Sequence, residues 1–294
     1  MQETLFDVHG PVRSPLRYPG GKTRVAKRFA PYFPEHTHYR EIFAGGGAIF
    51  FYKPKAETNW INDLHPGLYA FWVAVRDRLE EFAELCRAQG TPGSKKRFHY
   101  WAFERRDLMT CRGRNHLLER AVQFYYLNRT VWGGRVVFDP DRKSRLYFSN
   151  PQGWARLEKK LAHLRRVSAK LQGGRITCRD YAECLAGADA STFIYADPPY
   201  YRESTGHATD KLYDKSFDIE CHARMARELR DCPAKVMISY DDCPEVRELY
   251  EGWRFEEMEW TYCGTYAVSK EDKANGRKEE KVTGQELLIL NYEV

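Results

Sequence analysis

The chain has 294 residues, a formal net charge of +6, and 43% hydrophobic against 30% charged residues; this excludes a disordered polypeptide and leaves room for one large domain with an insertion or for two domains. No stretch approaches the ~20 apolar residues of a membrane span, and the N-terminus, with Glu3 and Asp7, lacks the apolar run of a signal peptide, so a cytoplasmic protein is expected. The cysteines are scattered, with no C-x-x-C pair and no zinc spacing to histidine, so reduced thiols and no metal are expected.

Near the N-terminus, Pro19-Gly20-Gly21-Lys22-Thr23 imitates a phosphate loop. A true one needs a glycine where Leu16 stands and a buried strand leading in, so nucleotide hydrolysis is excluded and the segment reads as a turn before a helix starting near Thr23. Residues 39–43 form a strand-like run that opens into Gly45-Gly46-Gly47. Small residues there let a cofactor approach the backbone, but Phe50 stands where a G-x-G-x-x-G pattern needs its third glycine. A compact adenosine-type ligand is therefore favoured over a dinucleotide, with a plain strand-to-helix turn as the alternative. The next strand-like run, residues 59–62, ends at Asp63, which suits either ribose hydroxyls or the N-cap of a helix over residues 68–86.

Residues 65–171 offer no convincing core strand; helix-like stretches such as 115–127 dominate, and the region reads as an inserted helical domain. Between Lys95 and Arg175 stand 20 Lys/Arg against 6 Asp/Glu, a local charge of +14 that leaves −8 on the rest of the chain. Aromatic residues are interleaved with these cations, as in Tyr125, Tyr126, Arg129, Trp132 and Arg135. That mixture suits a polyphosphate backbone and stacked bases, and the size of the excess favours nucleic acid over a merely solvated basic face. Residues 131–138 place two β-prone flanks around Gly133-Gly134, which predicts a hairpin.

Strand-like runs follow at residues 175–178, 193–196, 235–239, 255–262 and 286–291, with a helical pattern over 219–230. The last two runs are joined by a polar loop, residues 269–284, so a terminal hairpin with one strand antiparallel to the rest is expected. Alternating strands and helices predict an α/β sheet, mostly parallel, covered on both faces and binding ligands at the carboxyl ends of its strands. One such end is Asp197-Pro198-Pro199-Tyr200, directly after the apolar run 192–196. Two prolines fix the backbone, and a carboxylate, a carbonyl and an aromatic ring in set directions suit a flat heterocyclic amine. A plain strand-terminating turn is the alternative.

Taken in order, Pro15-Leu16-Arg17-Tyr18-Pro19-Gly20-Gly21-Lys22, Phe43-Ala44-Gly45-Gly46-Gly47, Asp63, Leu127-Asn128-Arg129, Asp197-Pro198-Pro199-Tyr200 and Glu286-Leu287-Leu288-Ile289-Leu290-Asn291-Tyr292 resemble the motifs of the Dam-like, alpha-group DNA adenine methyltransferases. The resemblance spans nearly the whole chain. It implies the Rossmann-like, seven-stranded mixed sheet of S-adenosylmethionine-dependent methyltransferases with an inserted, mainly helical target-recognition domain. The catalytic domain then takes residues 1–66 and 172–294, and the insertion takes residues 67–171.

By the same resemblance Tyr18 packs on the cofactor with Lys22 beside it, Gly45, Gly46 and Gly47 shape its turn, and Asp63 holds its ribose. Asp180 lies near its adenine, unless it only caps a helix. Asp197, Pro198, Pro199 and Tyr200 form the catalytic site, with Asp197 also on the cofactor side. Arg129 is an implied DNA contact; apart from the resemblance, Arg135, Arg142 and Arg145 are DNA-contact candidates that reach bases or only phosphates, phosphate being the commoner fate for any one of them. The partner is double-stranded DNA with its target base flipped out, and no metal is called for. Residues 130–135 do not reproduce the residues that well-known members use to read their site, so no recognition sequence is assigned. The competing readings are a cytosine 4-amino methyltransferase, a group that usually has Ser in place of Asp197, and a DNA-binding relative without activity.

Overall fold

The protein is described from a computed structural model covering residues 10–18, 20–110, 115–134, 136, 146–201, 217–261 and 283–294. In chain order its first elements are α1 (Ala26–Phe29), β1 (His38–Glu41), α2 (Ala48–Tyr52), β2 (Thr58–Asn62), α3 (Pro66–Asp77), α4 (Leu79–Arg87), α5 (Lys95–His99) and α6 (Asp107–Thr110). They are followed by α7 (Leu117–Thr130), α8 (Leu157–Leu171), β3 (Arg175–Thr177), β4 (Thr192–Ala196), α9 (Ile219–Arg230), β5 (Lys235–Asp241), α10 (Pro244–Leu249), β6 (Arg254–Thr261) and β7 (Thr283–Leu290). The seven strands lie in the order β3-β2-β1-β4-β5-β7-β6. β1 pairs in parallel with β2 and β4, and β2 with β3, whereas β7 runs antiparallel to both β5 and β6. This is the mixed α/β sheet expected from the sequence. Thr283 and Gly284, assigned above to the polar loop, instead pair with Thr261 and Trp260 and extend the hairpin.

The chain divides into two compact units: residues 1–195 with 232–234 and 294, and residues 196–231 with 235–293. In the first, β1 and β4 bury Tyr39, Phe193 and Ile194 against Phe50 and Phe51 of α2. α3 packs on α7 through Phe71, whose ring stacks on Tyr125 at 5.1 Å, and through Gly67, where a Cβ would lie 2.7 Å from Phe124. Trp154 fills the other side of Tyr125 and Tyr126. A buried ammonium, Lys170 of α8, donates to the carbonyls of Gly10, Phe51 and Lys53, so it closes the C-terminal end of α2 and satisfies carbonyls that a helix leaves open. In the second unit, β5 and β7 bury Val236, Ile238 and Leu287 to Leu290, with Met225 and Leu229 of α9 and Val246 of α10.

The hairpin predicted over residues 131–138 falls in part on 135, 137 and 138, which lie outside the described residues. Trp132–Gly134 is a single 3-10 turn, and Val131 forms an antiparallel bridge to Phe148. Both glycines adopt left-handed backbone, at φ 64° and 77°, and Gly134 is pressed against Arg17, whose carbonyl a Cβ would meet at 2.3 Å. No helix among the described residues is long and apolar enough to cross a membrane.

Candidate active site

The first unit brings together the glycine turn, Asp63 and Tyr18. β1 ends at Glu41, a buried carboxylate that accepts from the Tyr39 hydroxyl and from the Phe50 amide at 2.8 Å each, anchoring the first turn of α2 to the strand. Between them the chain turns through Gly45 and Gly47, both left-handed at φ 46° and 65°. Asp63, one residue past β2, accepts from Gly45 N through Oδ2 and from His65 N through Oδ1, at 2.8 Å each. Each oxygen keeps a further lone pair, as a ribose diol requires. Burial raises the Asp63 pKa above the ordinary carboxylate value, with the His65 and Gly45 amides opposing the shift. The Tyr18 side chain lies across the turn: a Cβ on Gly45 would meet its ring at 2.9 Å, and one on Gly46 would lie 3.3 Å from its Cβ. Lys22 is buried and donates to Gly20 O at 3.0 Å.

The N-cap role that Asp63 could have filled belongs to His65. Its Nδ1 accepts from Gly67 N and Leu68 N at the start of α3, while Nε2 lies 3.2 Å from Val136 O. An acceptor at Nδ1 and a carbonyl at Nε2 fix the neutral tautomer, and burial lowers the His65 pKa in the same direction. Asp180 caps the short turn Tyr181–Cys184 by accepting from Ala182 N at 3.0 Å.

The second unit holds the Asp-Pro-Pro-Tyr segment. Asp197 follows the fully buried β4 and accepts from Ser239 Oγ, on β5, at 2.9 Å. Pro198 is buried, and the Tyr200 ring lies 5.9 Å from that of Tyr240, tilted by 39°. Behind it the Tyr240 hydroxyl shares a 2.6 Å hydrogen bond with His222 Nδ1, and Tyr201 and Phe217 pack edge-on to the imidazole. Burial lowers the His222 pKa to about 4, so this ring is neutral at physiological pH. The sequence reading missed Ser239, Tyr240 and His222; the one signal was a Ser-Tyr pair closing an apolar strand.

Of the candidate DNA contacts, Arg129 is half-buried in the last turn of α7 and donates to Gly153 O at 3.3 Å and Pro15 O at 3.4 Å. Arg135, Arg142 and Arg145 lie outside the described residues. Asn128, quoted above only as part of a motif, joins two of the motifs physically. Its Oδ1 accepts from Arg17 N at 3.1 Å, and its Nδ2 donates to Arg17 O at 2.6 Å and Gly134 O at 2.7 Å.

The chain's sequence matches known proteins. The chain is 27% identical to the type II methyltransferase M.MjaIII of Methanocaldococcus jannaschii, over 94% of this chain and 98% of that one. It is 26% identical to the DNA adenine methylase of Escherichia coli, over 95% of each, and 27% identical to that of Salmonella typhi, over 81% and 84%. Residues 18–263 match the family model described as D12 class N6 adenine-specific DNA methyltransferase, and the chain belongs to that family.

Proposed function

We propose that the chain transfers a methyl group from S-adenosylmethionine to the 6-amino group of a flipped adenine in duplex DNA, with Asp197, Pro198, Pro199 and Tyr200 at the amine and Tyr18, Lys22, Gly45, Gly46, Gly47, Asp63 and Asp180 at the cofactor. The family match supports the reaction. The observation that carries the residue assignment is the Asp197 carboxylate, oriented by Ser239 at the head of a proline-stiffened segment. S-adenosylmethionine supplies, when bound, a methyl group already activated by its sulfonium. Asp63 suits the ribose because it accepts without giving up its grip on Gly45, and the positive-φ glycines suit a ligand that runs along the backbone.

The chain's own work lies at the nitrogen. Adenine's exocyclic lone pair is delocalised into the ring and attacks poorly. Asp197 and the Pro198 carbonyl accept the two amine hydrogens, which favours a more tetrahedral nitrogen, and Tyr200 stacks on the base. As the N–C bond forms and the C–S bond breaks, the nitrogen becomes cationic and releases one proton towards solvent; Asp197 acts as an acceptor more than as a strong base. Positioning of this kind can contribute ~7 to 11 kcal/mol. Base flipping costs a few kcal/mol, offset by stacking and backbone contacts. We assign residues 1–66 and 172–294 to this chemistry and residues 67–171, with Arg129, Arg135, Arg142 and Arg145, to DNA.

The test is incubation of duplex DNA with methyl-labelled S-adenosylmethionine followed by digestion to nucleosides. Labelled N6-methyladenine is expected; labelled cytosine or no label overturns the reading. Asp197→Ala is expected to lower kcat by about 100-fold or more, the scale of removing one preorganised polar group from a transition state. Undiminished turnover in that variant sinks the assignment of Asp197.

A further inference from the structure

Three separate stretches of the first unit place their cations together. Arg129, at the end of α7, donates to Pro15 O, and His163 of α8 lies 2.8 Å from Arg13 O, so the N-terminal segment carrying Arg13 and Arg17 is held between the end of α7 and the middle of α8. Arg156 and Lys160 enter the same field from the first turn of α8. Among the described residues none of Arg13, Arg17, Arg129, Arg156 and Lys160 forms an ion pair. The charges instead repel one another: Arg13 and Arg17 act on Arg129, and Arg129 and Arg156 act on Lys160, lowering both pKa values further after desolvation has done so.

Two observations set this cluster apart from an ordinary basic face. The first is orientation. Arg156 is the N-cap of α8 with a left-handed backbone at φ 53°, and Lys159 and Lys160 follow in the first turn, where the helix dipole disfavours cations. The one acid there, Glu158, is turned away and held by both nitrogens of the Arg87 fork at 2.9 Å. The second is an orphan: Arg17 Nη1 is buried with no hydrogen-bond partner, a rare arrangement that a bound water or ion can complete. Repelling guanidinium and ammonium groups, a positive helix end and an unsatisfied guanidinium N–H share one complement, an anion with several acceptor oxygens.

We infer that Arg13, Arg17, Arg129, Arg156 and Lys160 form a cradle for backbone phosphates of the duplex. The inference rests on the DNA substrate proposed above and deepens it. It adds a contact built from residues 13–17 and the start of α8, separate from Arg135, Arg142 and Arg145. Such contacts fix the register of the duplex and carry no sequence information of their own.

The test is binding of a fluorescent duplex by the full chain across about 50 to 200 mM salt, a range over which phosphate contacts dominate the response. Arg156→Gly, which suits the left-handed backbone, combined with Lys160→Gln is expected to make the slope of log K against log salt shallower by about 1.8, near 0.9 per phosphate. The loss is expected to be equal on duplexes of unrelated sequence, with no fall in Tm, because the variants remove charge from the wrong end of a helix. A slope equal to the wild type's overturns the cradle, as does a loss confined to some sequences. If the pair lowers Tm, the exposed Arg13→Gln decides: a slope shallower by about 0.9 supports the cradle and an unchanged one refutes it. Wild-type chain that labels adenine while the variant slopes stay unchanged rejects this inference alone; wild-type chain that neither binds duplex nor labels it rejects both.

Discussion

A serine hydroxyl donating to Asp197 Oδ1 at 2.9 Å sets the rotation of the carboxylate, and small misplacements of a reacting group cost rate steeply. Ser239→Ala removes this restraint from a buried strand position with little change in volume. It is expected to lower kcat by roughly 10-fold while the Kd for S-adenosylmethionine stays within about twofold, because orientation and not binding is lost. Steady-state kinetics and a cofactor titration check this; an unchanged kcat removes Ser239 from the positioning role. Asp197 and Asp63 could be singled out from the sequence because each directly follows a strand-like run, at the carboxyl end where ligands of such sheets bind. Ser239 could not, since a serine within a strand says nothing of a partner 42 residues earlier. The Asp63 cap alternative fell for a similar reason: a histidine is a poor guess for an N-cap, and only the Nδ1 contacts of His65 reveal it.

At the scale of elements, α7 is the joint of the first unit. Asn128, fully buried on a helix of apolar and aromatic neighbours, closes three hydrogen bonds to the backbone of Arg17 and Gly134 and so ties the Tyr18 segment to the Trp132 turn. Asn128→Ala leaves one amide and two carbonyls without partners and is expected to destabilise by about 2 to 4 kcal/mol. Asn128→Asp is expected to be at least as damaging, because it turns a carboxylate oxygen toward two carbonyls. Urea unfolding of the two variants measures this, and an unchanged midpoint for Asn128→Ala rules out the joint. The seven strands were legible because β-branched and aromatic runs between turn residues have few other places to go. The close approach of Gly134 to Arg17 was not legible, because it is a long-range contact that no local pattern contains.

For the whole molecule, counting residues reveals the +14 segment, but the cradle draws on residues from 13 to 160 that only the fold gathers. Two buried bases give the molecule a further collective property, a stability that rises with pH. His222 carries a pKa lowered from 6.5 to about 4 by desolvation, and Lys53 one lowered from 10.5 to about 7 by desolvation and then by Lys170. Lys53 Nζ donates to Pro54 O at 2.7 Å and sits 4.3 Å from the centre of the Tyr39 ring, so it is solvated by a carbonyl and a ring rather than by water. For both groups the fold disfavours the protonated form, so between the two pKa values the unfolded chain binds more protons and stability increases with pH. The His222 limb runs from about pH 4 to 6.5 and contributes at most about 3 kcal/mol; the Lys53 limb runs from about pH 7 to 10.5. Thermal unfolding followed from pH 4.5 to 9 is expected to show Tm climbing through both windows, as far as acid groups permit. His222→Phe is expected to flatten the acid limb and leave the alkaline one, and Lys53→Met to do the reverse. Parallel Tm profiles for wild type and His222→Phe below pH 6.5 would mean that the imidazole is protonated inside the fold and that its hydrogen bond to Tyr240 is donated by Nδ1.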